Sequence, residues 1–434
     1  PARLAVLVFL CVIVVVSALL ALPCSTRTGK AVSLVDALFT ATSAVCVTGL
    51  EVVPTGDYWS GFGQAVLLVA IQVGGLGVMT IGAILGLLVT RRLGLTQRML
   101  TASETRSGLG QVGALVRAVA LTSVVIELVI AAALFSRFTA LDHSRPQAAW
   151  HAIFYGVSAF NNAGFTPSVE GLRPHQADWL VLCPIMVGVF VGALGFPVIL
   201  NIARHLRQPR RWALHTKLTL TTAGLLALVA PILIGAFEWN DPRTMGSLSV
   251  PTKILNALFA GLVPRTAGFN LLPETLMEPQ SLLTQEALMF VGGGSASTAG
   301  GIKVTTLAVM LLAIRAEARG DRDIEAFGRR ISPAVLRAAV GVAVAGAVIV
   351  VTGALVLMPM TSARTDYILF EVTSAFGTCG LSTGLSATLP VAGKSTLIAL
   401  MLIGRLGTMT LAAALAIRNR RSLIRLPEER PIVG

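Results

Sequence analysis

Four short stretches hold the residues best able to do chemistry, and the atoms on offer are backbone oxygens. They read "DALFTATSAVCVTGL", "HAIFYGVSAFNNAGF", "NALFAGLVPRTAGF" and "YILFEVTSAFGTCGL". In the first, second and fourth, a Phe (Phe39, Phe154, Phe370) lies ten residues before a Gly (Gly49, Gly164, Gly380). In the third, Phe259 lies nine residues before Gly268. Glycine takes positive φ without strain, so the backbone around each Gly can turn successive carbonyls one way. A ring of such carbonyls can replace the hydration shell of a cation. Short helices whose C-terminal ends aim at the same point add partial negative charge. The expected ligand set is Val47, Thr48 and Gly49; Asn162, Ala163 and Gly164; Thr266, Ala267 and Gly268; and Thr378, Cys379 and Gly380. Catalysis has no comparable footing, because no Ser-His-Asp set, metal-ligand cluster or phosphate-binding loop is present.

A second feature is "GGGSASTAGGIK", residues 292–303, with five glycines in twelve residues. Each interior Gly costs a helix about 1 kcal/mol relative to Ala, so the stretch is expected to interrupt a span. Gly292, Gly293, Gly294, Ser295, Ala296, Ser297, Thr298, Ala299, Gly300 and Gly301 would form a loop projecting into the ion path. Its counterparts are "GGLGVM" (74–79), "GALGFP" (192–197) and "GRLGTM" (404–409), at similar distances behind the other three glycines. These read either as small-residue packing surfaces or as patches at matched depth. Arg405 lies in the last, and an intramembrane Arg usually faces a bundle interior or an aqueous cavity. The loop and Arg405 together are expected to form a gate. Lys303 could snorkel to the interface.

The elements that must position these groups follow from composition. Only 13% of the 434 residues are charged and 54% are hydrophobic, against about 25% charged in soluble domains. The chain is therefore expected to be an all-α polytopic membrane protein. The first span, Leu4 to Leu22, reads as a retained helix rather than a cleaved signal, and the start at Pro1 leaves open whether residues precede it. Four segments (91–117, 204–217, 315–337 and 418–430) hold 21 of the 34 Lys and Arg residues. Charge placed between apolar stretches marks cytoplasmic loops and argues against nucleic acid as the target of the net charge of +13. The five cysteines show no paired spacing and suggest neither a disulfide framework nor a zinc site.

These segments divide the chain into four tandem helix–pore loop–helix repeats around a central pore: 1–90, 111–205, 212–316 and 332–419, followed by a basic cytoplasmic tail, 420–434. The third repeat carries the broken second helix and the intramembrane loop; the second helix of repeat two is expected to be one span, 179–203. The middle segments are shorter than the roughly 20 residues a helix needs to cross the bilayer, so they must enter and leave on one side. Ser33 and Asp36 stand at capping-box spacing for the first. Glu127 could be a proton or cation site but is expected rather to pair with a buried donor or sit near the interface. His151 is expected to be interfacial rather than a ligand, Asn161 and Asn162 to line or brace the path, and Arg265 to brace it from behind rather than meet the ion.

On "TSAVCVTGL", "SAFNNAGF", "RTAGFN", "GTCGLSTG", "QVGGLGVMT", "GGGSASTAGGIK" and "GRLGTM", the chain resembles the Trk/Ktr/HKT superfamily of K⁺ transporters, and within it the KtrB-like bacterial membrane subunits. The resemblance implies one pore per subunit in a homodimer, and K⁺ as the transported ion, with Na⁺ as a second candidate. It also implies a cytoplasmic RCK-type (KtrA/TrkA-like) ring that alone carries nucleotide, ATP/ADP or NAD. The filter glycines carry over to Gly49, Gly164, Gly268 and Gly380, the gating loop to 292–302 and the gate-facing Arg to Arg405. In plant relatives that conduct Na⁺ the first filter Gly is Ser, so Gly49 favours K⁺. Pro264 departs from the pattern and leaves the local geometry of the third segment open. The expected function is K⁺ uptake across the bacterial cytoplasmic membrane; alternatives are an H⁺- or Na⁺-coupled cation symporter and a non-conducting regulatory protein. "RRLGLTQRML" and "RNRRSLIRLPEERPIVG" are expected docking surfaces for the ring, with anionic membrane lipid as competitor.

Overall fold

A computed structural model describes residues 2–91, 108–141 and 144–407. The tail 420–434, nearly all of "RRLGLTQRML" and the end of the last expected span lie outside the described residues.

Long apolar helices alternate with short buried ones. α1 (Ala2–Leu20) precedes the short α2 (Leu34–Val45) and the long α3 (Gly61–Arg91). α4 (Gly108–Ala140) is followed by the short α5 (Arg145–Asn161), then by α6 (Trp179–Leu194) and α7 (Phe196–Arg204). α8 (Leu214–Glu238) precedes the short α9 (Val250–Leu262), then α10 (Pro279–Phe290) and α11 (Val304–Arg319). After a hairpin, α12 (Pro333–Leu357) leads to the short α13 (Thr365–Gly377) and to α14 (Val391–Leu402), which runs into a π-turn at Ile403–Gly407. Among the described residues, four helices are long and apolar enough to cross a bilayer: Gly61–Ile84, Gly113–Ala140, Leu214–Glu238 and Pro333–Met360.

The burial pattern is that of a membrane protein. Val14, Leu128, Leu228 and Leu355 are exposed on the long helices, whereas Thr42, Ser43, Asn161, Arg265, Glu371 and Arg405 are buried among the short ones. Apolar side chains facing outward suit a hydrocarbon solvent; the polar groups inside are then obliged to find partners. α4 lies along α5 and α8 along α9, so each short helix is sheathed by a long one. At the start of α2, Ser33 Oγ accepts from the Asp36 amide at 3.1 Å and donates to its carboxylate at 2.7 Å. This reciprocal pair satisfies a first-turn amide that the helix leaves free.

Two features differ from the sequence expectation. Residues 179–203 are not one span: α6 and α7 meet at Gly195 (φ 93°) with a bend of 96°. A φ in this region excludes continuation of the helix, and Pro197 at the head of α7 starts the new one. The basic segment 315–337 also contains a β-hairpin, β1 (Ile324–Ala326) paired antiparallel with β2 (Arg329–Ile331). Phe327 and Gly328 at its turn both have positive φ (52° and 71°), the requirement of a two-residue hairpin turn. The expected break at 292–303 is present, with α10 ending at Phe290 and α11 starting at Val304.

Candidate ion pathway

The short helices α2, α5, α9 and α13 each end just before one of the four glycines. In every case the residue two before the Gly has positive φ, as does the Gly: Val47 (54°) and Gly49 (90°), Asn162 (58°) and Gly164 (74°), Thr266 (89°) and Gly268 (67°), Thr378 (47°) and Gly380 (98°). The residue between them is not in the left-handed region. Alternating handedness turns consecutive peptide planes so that their carbonyls project to one side, and only Gly takes the second position without cost.

The four segments close on one another. A Cβ on Gly49 would collide with Ala163 O, on Gly164 with Ala267 O at 2.8 Å, on Gly268 with Cys379 O and on Gly380 with Thr48 O. Each glycine thus abuts the carbonyl preceding the next glycine, and the fourth segment returns to the first. The twelve residues expected as ligands are brought together, all of them buried.

Serines at the ends of three short helices fix three of the segments. Ser43 Oγ accepts from the Gly49 amide and Ser374 Oγ from the Gly380 amide, both at 3.1 Å, while Ser158 Oγ donates to Phe165 O at 2.8 Å. The third segment, with Pro264, lacks this serine and is held otherwise. Arg265 is buried, donates from Nη1 to Ala223 O at 2.7 Å and stacks over Phe190. It points away from the ring, and the φ pair at Thr266 and Gly268 matches the other three.

Above the ring lies a vestibule of about 660 Å³ lined by all four glycines. The residues two beyond each glycine, Glu51, Thr166, Asn270 and Ser382, also line it. Burial raises the Glu51 carboxyl to about 7, against opposing hydrogen bonds from Thr55. Among the described residues, no group of three or more His, Cys, Asp or Glu could hold a metal ion.

On the other side of the ring sits the loop between α10 and α11. It is pinched at its base, where Val291 bridges Ile302, Ile302 N donates to Phe290 O at 3.0 Å and Val304 N to Gly293 O at 3.0 Å. A Cβ on Gly300 would overlap Thr378 Oγ1, and one on Gly292 would lie 3.3 Å from the Thr266 methyl, so the loop touches the third and fourth segments directly. Thr298 Oγ1 lies 2.6 Å from the Asn162 amide and 3.2 Å from Phe160 O. The bend at Gly195 receives the loop's near side: Gly294 N donates to Ala193 O at 2.7 Å and Phe196 N to Ala296 O at 3.2 Å. On the far side, buried Arg405 donates from Nη1 to Thr298 O. Its Nε and Nη2 make no hydrogen bond to the described residues. Lys303 does not reach outward; its Nζ donates to Ala299 O at 2.7 Å and Gly300 O at 3.3 Å, closing the loop's end.

The glycines behind the other short helices are close-approach points. Gly74 packs on Val45 O, Gly192 on Phe160 O and Gly404 on Phe376 O. Each of these carbonyls lies at the C-terminal end of a short helix, so a small residue lets the second long helix press on it. Asn161 Nδ2 donates to Gln72 at 3.0 Å and to buried Glu127 at 3.1 Å, holding α5 rather than facing the ring. The role of Gly195 was missed in the sequence, although Gly followed by Phe-Pro in an apolar run was an available signal.

The arrangement can strip a cation of water and ligate it through neutral oxygens. Residues 9–422 match the TrkH family, described as cation transport protein. The chain is 37% identical over 440 residues to Ktr system potassium uptake protein B of Bacillus subtilis (strain 168), covering 100% of this chain and 97% of that protein. It is 38% identical over 442 residues to the Ktr system potassium uptake protein B of Vibrio alginolyticus, covering 100% and 94%. The crystal structure of the potassium transporter TrkH from Vibrio parahaemolyticus has the same fold, with TM-score 0.71, 19% identity, and 93% of this chain and 83% of that one covered. The chain belongs to the TrkH family of cation transport proteins.

Proposed function

We propose that the chain is the pore-forming subunit of a K⁺ uptake system in the bacterial cytoplasmic membrane. The closed backbone ring at Gly49, Gly164, Gly268 and Gly380 carries this reading. The relatives above are potassium uptake proteins by name, which favours K⁺ as the ion. Four tandem repeats (1–90, 111–205, 212–316, 332–419) supply one filter segment each. An ion entering the vestibule exchanges water for carbonyl oxygens, which suit a large monovalent cation. The C-terminal ends of the four short helices add about half an elementary charge each where they converge.

The loop 292–302 is the gate. It lies against the ring, and the Arg405 guanidinium anchored on its Thr298 carbonyl opposes a cation from below. Opening requires the loop to leave both the Gly195 bend and Arg405. The basic segments face the cytoplasm and present the docking surface for an RCK-type ring, whose nucleotide moves the gate through the homodimer. No bond is made or broken, so the protein is not an enzyme.

Reversal potentials in proteoliposomes test the reading. They are expected to follow the K⁺ gradient and ignore pH. A dependence on H⁺ or Na⁺ gradients would replace the pore with a symporter. Rescue of a K⁺-uptake-deficient bacterium, with and without an RCK partner, tests the control.

A further inference from the structure

The residue after the conserved-spacing Phe differs in each short helix: Thr40 in α2, Tyr155 in α5, Ala260 in α9 and Glu371 in α13. All four are buried. Glu371 reaches the strand leaving the fourth glycine. Its carboxylate accepts from Ser382 Oγ at 2.8 Å, the Ser386 amide at 3.1 Å, the Thr383 amide at 3.3 Å and Ser386 Oγ. Every one of these partners is a neutral donor between 382 and 386. Tyr155 does the same work for the second segment: its Oη lies 2.8 Å from Ser168 Oγ and donates to Gly171 O at 3.2 Å. The Thr40 hydroxyl makes no hydrogen bond to the described residues, and Ala260 has none to offer.

The ring is therefore closed four-fold by backbone, and beyond the serines and Arg265 that hold its segments, the position after the Phe adds a brace at two opposite segments, the second and the fourth. A buried carboxyl needs hydrogen-bond partners, and a buried donor left without its acceptor costs about 1–3 kcal/mol. The Glu371 carboxyl therefore holds the turn and short helix at 382–386 to its own position.

We propose that Glu371 and Tyr155 are positioning residues for ion selection, holding the exit strands of the fourth and second segments so that the carbonyls beneath them keep their spacing. This rests on the filter reading above. Glu371→Gln would set an NH₂ group among amide and hydroxyl donors and strand at least one of them. Tyr155→Phe removes a single oxygen. Thr40→Val, at the equivalent place in the first segment, removes a hydroxyl without a partner and serves as the control.

The experiment is K⁺ and Na⁺ flux into proteoliposomes at fixed pH, with thermal stability measured on the same preparations. Relative to wild type, Glu371→Gln is expected to raise Na⁺ flux relative to K⁺ about tenfold and Tyr155→Phe about threefold, with Thr40→Val unchanged. Braces that serve only folding would lower stability while leaving the flux ratio of the folded protein at the wild-type value, and that result overturns the inference. Tyr155→Phe keeps the test in force if Glu371→Gln does not fold. A wild type without preference for K⁺ would defeat the filter reading instead, so the two failures are distinguishable.

Discussion

The ring and the loop beneath it are built from similar residues but held in opposite ways. In the ring, each glycine presses on the next segment's carbonyl, so moving one segment disturbs its neighbours on both sides. The loop 291–303 is pinned by separate hydrogen bonds to separate elements: Ala193 and Phe196 at the bend, Phe160 and Asn162 at the end of α5, and Arg405 in the π-turn. Closure makes the first an all-or-none geometry, since packed cores are bistable rather than continuously deformable. Discrete contacts make the second releasable one by one. On the proposed reading, the first construction suits a fixed filter and the second a removable obstacle.

Breaking the loop without touching the ring gives the largest effect. Deletion of 293–300 is expected to raise partner-independent K⁺ flux about a hundredfold with selectivity retained, since the whole obstacle is lost. Unchanged closed-state flux in vesicles would remove the loop from gating. Arg405→Ala cuts one anchor and removes the opposing charge; a rise of about tenfold follows if that anchor is worth about 1.4 kcal/mol. Flux at the wild-type level in folded protein would make Arg405 a purely structural residue. Thr298→Val leaves the carbonyl to Arg405 and removes only the contacts with Asn162 and Phe160, so a rise of about fivefold is expected from two neutral hydrogen bonds worth about 0.5 kcal/mol each.

The smallest effect concerns the vestibule. Burial raises the Glu51 carboxyl to about 7, so its negative charge is present above that pH and lost as pH falls through it. External K⁺ should then be taken up with a half-saturation about two- to threefold higher at pH 6 than at pH 8. Glu51→Gln should show the low-pH value throughout. A pH response that survives the substitution would locate it elsewhere.

The glycine ring was legible because four copies of one pattern carry more information than any copy alone. Gly49 by itself is a turn residue, but Phe39, Phe154 and Phe370 at matched spacing make the pattern visible. The break at 292–303 was legible from glycine density. The bend at Gly195 was not, because one Gly in an apolar helix suits packing as well as interruption. What decides it is tertiary: a Cβ there would collide with Ser295 O of the docked loop. The hairpin at 324–331 hid inside a stretch read only for its charge. Glu371 was also opaque. Its partners lie 11 to 15 residues onward, across the ring residues, and no helical or strand period links them.

The most direct test of the central claim is the K⁺ to Na⁺ permeability ratio of the reconstituted protein before and after Gly49→Ser. At φ 90° a side chain costs about 1–2 kcal/mol in backbone strain alone, and its Cβ meets Ala163 O. The wild type is expected to prefer K⁺ strongly, and the preference to fall about tenfold or more in the variant, since about 1.4 kcal/mol is a factor of ten. A folded Gly49→Ser protein that selects K⁺ as well as the wild type would contradict it.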